Sequence, residues 1–125
     1  MMWSKKATLV PFGVLLALPT PLLADKLDGS ADSFLPRCRA IVNHEFDKDF
    51  DLGLCVGAMI ALHDATIVLH LPSEHPLRSC MPESVTVEQS VAVVVRWLDR
   101  NPQSRRENFT RIAMSALHEA WPCDQ

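Results

Sequence analysis

The side chains capable of chemistry in this chain are four cysteines, a spread of histidines and a short run of aspartates. Cys38, Cys55, Cys80 and Cys123 are never closer than 17 residues apart, whereas a structural zinc site needs close pairs such as C-x-x-C. His63, His70, Glu74 and His75 do not form H-E-x-x-H or any similar ligand spacing. His63 falls on an apolar stripe and is expected as a hydrogen-bonded core residue, with His70 and His75 in a loop. Asp47, Asp49 and Asp51 imitate the first ligands of a calcium loop. The imitation fails at Leu52, where glycine is required, and at Ala58, where a bidentate glutamate is required. Ser115 and His118 lie one helical turn apart, but no G-x-S-x-G elbow is present. No catalytic residue, metal ligand or cofactor site is therefore assigned. The chain reads as a binding protein rather than an enzyme.

The N-terminus determines the compartment. Lys5 and Lys6 precede an apolar run from Ala7 to Leu18, Pro19 and Pro21 break it, and Ala24 follows as a small residue. That order is a secretory signal peptide, expected over residues 1–24, with the functional domain over 25–125. Losing the two lysines takes the formal net charge from −3 to −5. Mild acidity argues against electrostatic nucleic-acid binding and suits a soluble chain without a membrane anchor after cleavage. All four cysteines lie beyond the cleavage point. An even count in a small exported domain implies two disulfides, each contributing roughly 3 kcal/mol to a core of this size.

Hydrophobic periodicity places these residues on helices. Asp51 to Leu69 is apolar nearly all round, with Leu52, Cys55, Met59, Leu62, Thr66 and Leu69 at helical spacing. Such a helix is expected at the centre of a bundle, buried on several sides. Asp64 at its middle opposes a transmembrane reading, at about 2.5–3.5 kcal/mol. A first helix is expected from an N-cap at Ser33, with Pro36 in its first turn, to about His44. The acidic segment Glu45 to Asp51 turns it back. Pro72, Pro76 and Pro82 then forbid regular structure in a long crossover loop. Thr86-Val87-Glu88-Gln89 is a capping box opening a third helix with Val87, Val91, Val94, Val95 and Leu98 inward. Asn101-Pro102 ends it. A second box, Ser104 to Glu107, is expected to open a fourth, whose stripe is Phe109, Ile112, Ala113, Ala116, Leu117, Ala120 and Trp121. The fold class is all-α, a small four-helix domain stapled by disulfides.

Hairpin geometry assigns the bridges. Cys38 and Cys55 are nearly equidistant from the turn at Asp47, and Cys80 and Cys123 flank the open end of the second hairpin. The pairs Cys38–Cys55 and Cys80–Cys123 follow. Gly53, Gly57 and Ala61 form a line of small residues. It is expected to pack closely against another helix of the same chain, the alternative being a self-association face.

Four segments together resemble the Rap/Tai family of periplasmic immunity proteins. They are C-V-G-A-M-I-A-L-H-D at 55–64, C-M-P-E-S-V-T at 80–86, V-V-V-R-W-L-D-R-N-P at 93–102 and A-L-H-E-A-W-P-C at 116–123. Cys55, Gly57, Asp64, Cys80, Pro82, Thr86, Leu98, Pro102, Pro122 and Cys123 carry the likeness. Ala58 departs from a family tyrosine and Ala61 from a family glycine. The resemblance implies a mainly helical, disulfide-bonded, often dimeric periplasmic protein. Such proteins block peptidoglycan-cleaving amidase effectors delivered by type VI secretion.

A rigid plug for an enzyme cleft needs a preorganised surface and no catalytic group. Two stretches could supply it: the acidic turn with Glu45, Asp47, Asp49 and Asp51, and the crossover loop with Glu74, His75 and Arg78. The competing class is a periplasmic acid-stress chaperone that opens as its carboxylates protonate, or another envelope binding protein.

Overall fold

The computed structural model describes residues 28–123. The signal peptide read over residues 1–24 and its cleavage site lie outside the described residues. Within them are four α-helices, α1 (Ala31–Val42), α2 (Asp49–Val68), α3 (Val87–Arg100) and α4 (Phe109–Ala120). A 3-10 turn, Pro102–Arg106, joins the last two. The all-α, four-helix, disulfide-stapled expectation holds.

α3 supplies the middle of the core. Its predicted capping box is present: Gln89 N–H donates to the Thr86 hydroxyl at 3.2 Å, and Thr86 N–H donates to the Gln89 amide oxygen at 2.9 Å. Both orphan donors are thereby satisfied, which sets the helix start. Val91, Val94, Val95 and Leu98 are buried, as the spacing predicts. They meet Leu35, Cys38 and Ile41 of α1 and Ile112, Ala113, Ala116 and Leu117 of α4 in one core. Phe34 stacks on the buried Phe109 with ring centroids 4.3 Å apart.

Two helix starts differ from the sequence expectation, for one shared reason. α1 begins at Ala31 with Ser30, not Ser33, as N-cap; the Ser33 hydroxyl instead donates to the Ser30 carbonyl. Pro36 therefore lies inside the helix, where the carbonyl it leaves without a donor belongs to the exposed Asp32. α4 begins at Phe109 with Asn108 as N-cap, and the Ser104 box does not form. Between these starts, Ala31 N–H donates to Glu107 O and Phe109 N–H to Gly29 O, both at 2.8 Å. This two-bond clasp pulls Glu107 into extended backbone and fixes both N-termini together. It joins residues nearly eighty apart in the chain.

α1 ends at Val42 rather than near His44, through a left-handed residue. His44 has φ +57°, Glu45 N–H reaches Ala40 O at 2.9 Å, and His44 N–H reaches Ile41 O at 3.1 Å. That double closure is a Schellman motif with histidine in the position glycine favours.

α2 departs most from expectation. Cys55, Met59 and Leu62 are its only buried residues, so it lies at the edge of the bundle and not at its centre. His63 is exposed rather than held in the core. Phe50, Ile60, Ile67, Val68 and Leu69 are also exposed. Gly53 and Gly57 face away from the bundle: a Cβ built on either meets nothing within 4 Å. The close packing within the chain expected for Gly53, Gly57 and Ala61 is therefore absent.

Candidate partner-binding surfaces

Both predicted bridges are formed, Cys38–Cys55 between α1 and α2 and Cys80–Cys123 across the base of α3–α4. They hold three surfaces in fixed relation: the acidic turn, the crossover loop and the outer side of α2.

The acidic turn divides into paired and outward carboxylates. Glu45 accepts from the Lys48 ammonium and, at 3.1 Å, from the Asn43 amide. Lys48, followed by Asn43, holds the Glu45 carboxyl below the usual carboxylate range, and Glu45 raises Lys48 in turn. Asp51 lies 3.2 Å from the buried Arg37 guanidinium, so its carboxylate ties the first turn of α2 to α1. Asp47 and Asp49 are exposed. Asp49 and Asp51 both lie in the first turn of α2, where the helix dipole favours negative charge. The turn thus offers a partner two outward carboxylates on a braced frame.

The crossover loop is built from successive tight turns. His75 N–H donates to Pro72 O, Arg78 N–H to His75 O, and Cys80 N–H to Trp121 O, each at 2.9 Å. The His75 ring Nδ1 accepts from Leu77 N–H at 3.2 Å. The Arg78 guanidinium donates to Leu71 O, and the His118 ring Nδ1 donates to Arg78 O. His75 and Arg78 are half-buried and engaged in holding the loop, while Glu74 is exposed. Helical spacing from Ser115 does not reveal this use of His118, because its partner lies 40 residues away in the chain.

Between the loop and α2 runs a groove. One part, about 470 Å³, is lined by His63, Thr66, Ile67, His70, Arg78 and Met81. The adjoining part, about 310 Å³, is lined by Met59, Ile60, Val85, Val87 and Ser90, and shares His63 and Met81 with the first. The first part carries Arg78 and the second carries Glu83 among its apolar side chains. Among the described residues no group of three or more histidine, cysteine, aspartate or glutamate side chains is gathered to hold a metal ion. All four cysteines are bridged.

A family model described as Rap1a immunity proteins matches residues 30–123. The chain belongs to the Rap1a immunity protein family. The matched span takes in all four helices and both disulfides. No curated protein and no solved structure matches the chain. An immunity protein acts by binding a toxin, and the family is not a catalytic one.

Proposed function

We propose that this Rap1a-family protein is exported to the periplasm by the signal peptide at residues 1–24. There, as a pair of identical chains, it binds and occludes a peptidoglycan-cleaving amidase delivered by type VI secretion. The observation that carries the reading is the family match across residues 30–123. The physical features of the surface support it. The Cys38–Cys55 disulfide and the Arg37–Asp51 pair brace the two helices that flank the acidic turn, so less ordering entropy opposes association. Asp47 and Asp49 of the turn, and Glu74 of the loop, are the outward charges a toxin would meet. His75, Arg78, Glu45 and Asp51 hold those charges in place.

The test is protection. The chain is produced in the periplasm of a bacterial host together with each of a panel of type VI amidase effectors, and growth is followed. Rescue from one amidase with isolation of its complex supports the reading. Rescue only from a toxin of another chemistry would overturn the amidase assignment. Broad capture of unfolded proteins in acid, without rescue, would point to the acid-stress chaperone.

A further inference from the structure

We propose that Met59, His63, Met81 and Met114 form a site for one soft monovalent cation of the copper(I) and silver(I) class. Every methionine among the described residues is in this set. Met59 comes from α2, Met81 from the crossover loop and Met114 from α4, yet all three line one cavity of about 20 Å³ together with His63. That volume has room for a single atom-sized guest. Met59 and His63 are four residues apart and so share one face of α2. The Cys80–Cys123 bridge and the Cys80 N–H bond to Trp121 O, at 2.9 Å, anchor the residue before Met81 to the end of α4.

The donor set selects the ion. Thioether sulfur is a soft, uncharged ligand that prefers copper(I) to hard cations, and imidazole binds copper as well. Among the described residues no carboxylate and no lysine or arginine lines the cavity. The cost of burying charge grows as its square, so this neutral wall admits a monovalent ion where a divalent one would need a counter-charge. The hydroxyls of Thr66 and Ser90, also at the wall, donate to His63 O and Val87 O, each at 2.7 Å. Their oxygen lone pairs are what remains for a guest. Both disulfides are closed, so no thiolate competes for the ion.

Met59 and Met114 are buried, Met81 is half-buried and His63 is exposed. His63 and Met81 also line both parts of the groove, which gives an ion its way in. Packing accounts for the buried pair, since methionine fills irregular gaps in a core. It does not account for an imidazole and a solvent-reachable third thioether meeting them at one cavity. A bound ion would link α2, the crossover loop and α4, bracing the loop that carries Glu74. Ion binding neither requires nor excludes toxin inhibition, so the two are tested apart.

The test is titration of the oxidised mature protein with silver nitrate in chloride-free buffer, read from the methionine methyl signals in carbon–proton correlation spectra. One equivalent of Ag(I) is expected to move all three methyl signals together. At a hundredfold excess over the dissociation constant it should raise Tm by at least about 10 °C. Copper(I) kept reduced with ascorbate is expected to act alike, and Zn(II) to leave the signals in place. Met81→Leu and His63→Leu, both outside the core, are each expected to weaken Ag(I) binding at least about tenfold. Met59→Leu, close to isosteric, is expected to show the same loss while staying folded. His70→Leu, in the groove but not at this cavity, should bind as the wild type does. Unmoved methyl signals overturn the proposal, as does an affinity indifferent to Met81→Leu and His63→Leu. Dependence on His70 rather than His63 overturns it in favour of the open groove. Zn(II) moving the same three signals at one equivalent overturns the soft-ion assignment.

Discussion

Arg37 Nε lies 3.2 Å from Asp51 Oδ1, although the two residues sit on different helices and on opposite sides of the α1–α2 turn. Arg37 is buried beside Cys38, and its guanidinium also donates to Ser33 O. The pair and the adjacent Cys38–Cys55 bridge act on the same junction. One aligns charge at the N-terminus of α2, and the other fixes its distance.

Asp51→Asn is expected to lower stability by about 1 kcal/mol, since it weakens one ion pair of a buried cation while Asp51 itself is partly hydrated. Arg37→Met at the same junction removes the cation too and is expected to cost less. Urea denaturation of both variants checks the order. A larger loss for Arg37→Met would show that the guanidinium matters through packing.

Asp99 accepts both Arg39 nitrogens, at 2.6 and 3.1 Å, and Arg105 at 3.2 Å. Arg39 holds the Asp99 carboxyl below its ordinary 3.8. A lowered folded-state value means the contribution is present above the unfolded value and lost as pH falls through the folded one. The group is half exposed, so Asp99→Asn is expected to cost under about 1 kcal/mol near neutrality. Melting curves from pH 7 to pH 2 should show a constant gap between wild type and variant above about pH 5, closing below 3.8. A gap that widens in acid would contradict the assignment.

His44 closes α1 with φ +57°. His44→Gly is expected to stabilise the protein by about 1 kcal/mol, because the left-handed conformation costs a side chain roughly that much. The residue is exposed, so no packing is lost. Thermal unfolding reads the result, and an unchanged or lower Tm would argue that the ring's contact with Phe46, centroids 5.8 Å apart, outweighs backbone relief.

The two bridges should contribute unequally. Cys38–Cys55 closes 17 residues and Cys80–Cys123 closes 43, so chain entropy assigns about 3 and about 4 kcal/mol. Paired serine substitutions, measured by denaturant unfolding, should reproduce that order. Equal losses would mean that the unfolded chain is restricted by residual structure.

Local patterns in the sequence were sufficient for the helices that are amphipathic. The Thr86 capping box and the valine stripe of α3 are present as read, because both depend on residues within one or two turns. The starts of α1 and α4 differ from what local sequence predicts because the clasp between Gly29, Ala31, Glu107 and Phe109 is non-local. No window around Ser33 or Ser104 contains it. α2 misled in a different way. A helix apolar on every side must be covered on every side, which periodicity reads as burial inside its own chain. The exposed Phe50, Ile60 and Val68 show that part of that cover is not supplied by the described residues. The candidate site was legible as segments, the turn and the loop. The partition of their charges was not: only the fold reveals that Asp51 faces Arg37 while Asp47 and Asp49 face outward.

The most direct test of the immunity claim is amidase inhibition. Purified type VI amidase effectors would be assayed on isolated peptidoglycan with increasing amounts of the oxidised mature protein. The account predicts stoichiometric inhibition of one effector, weakened at least tenfold by Asp47→Lys with Asp49→Lys. Undiminished hydrolysis by every amidase at a tenfold excess of the protein would contradict it.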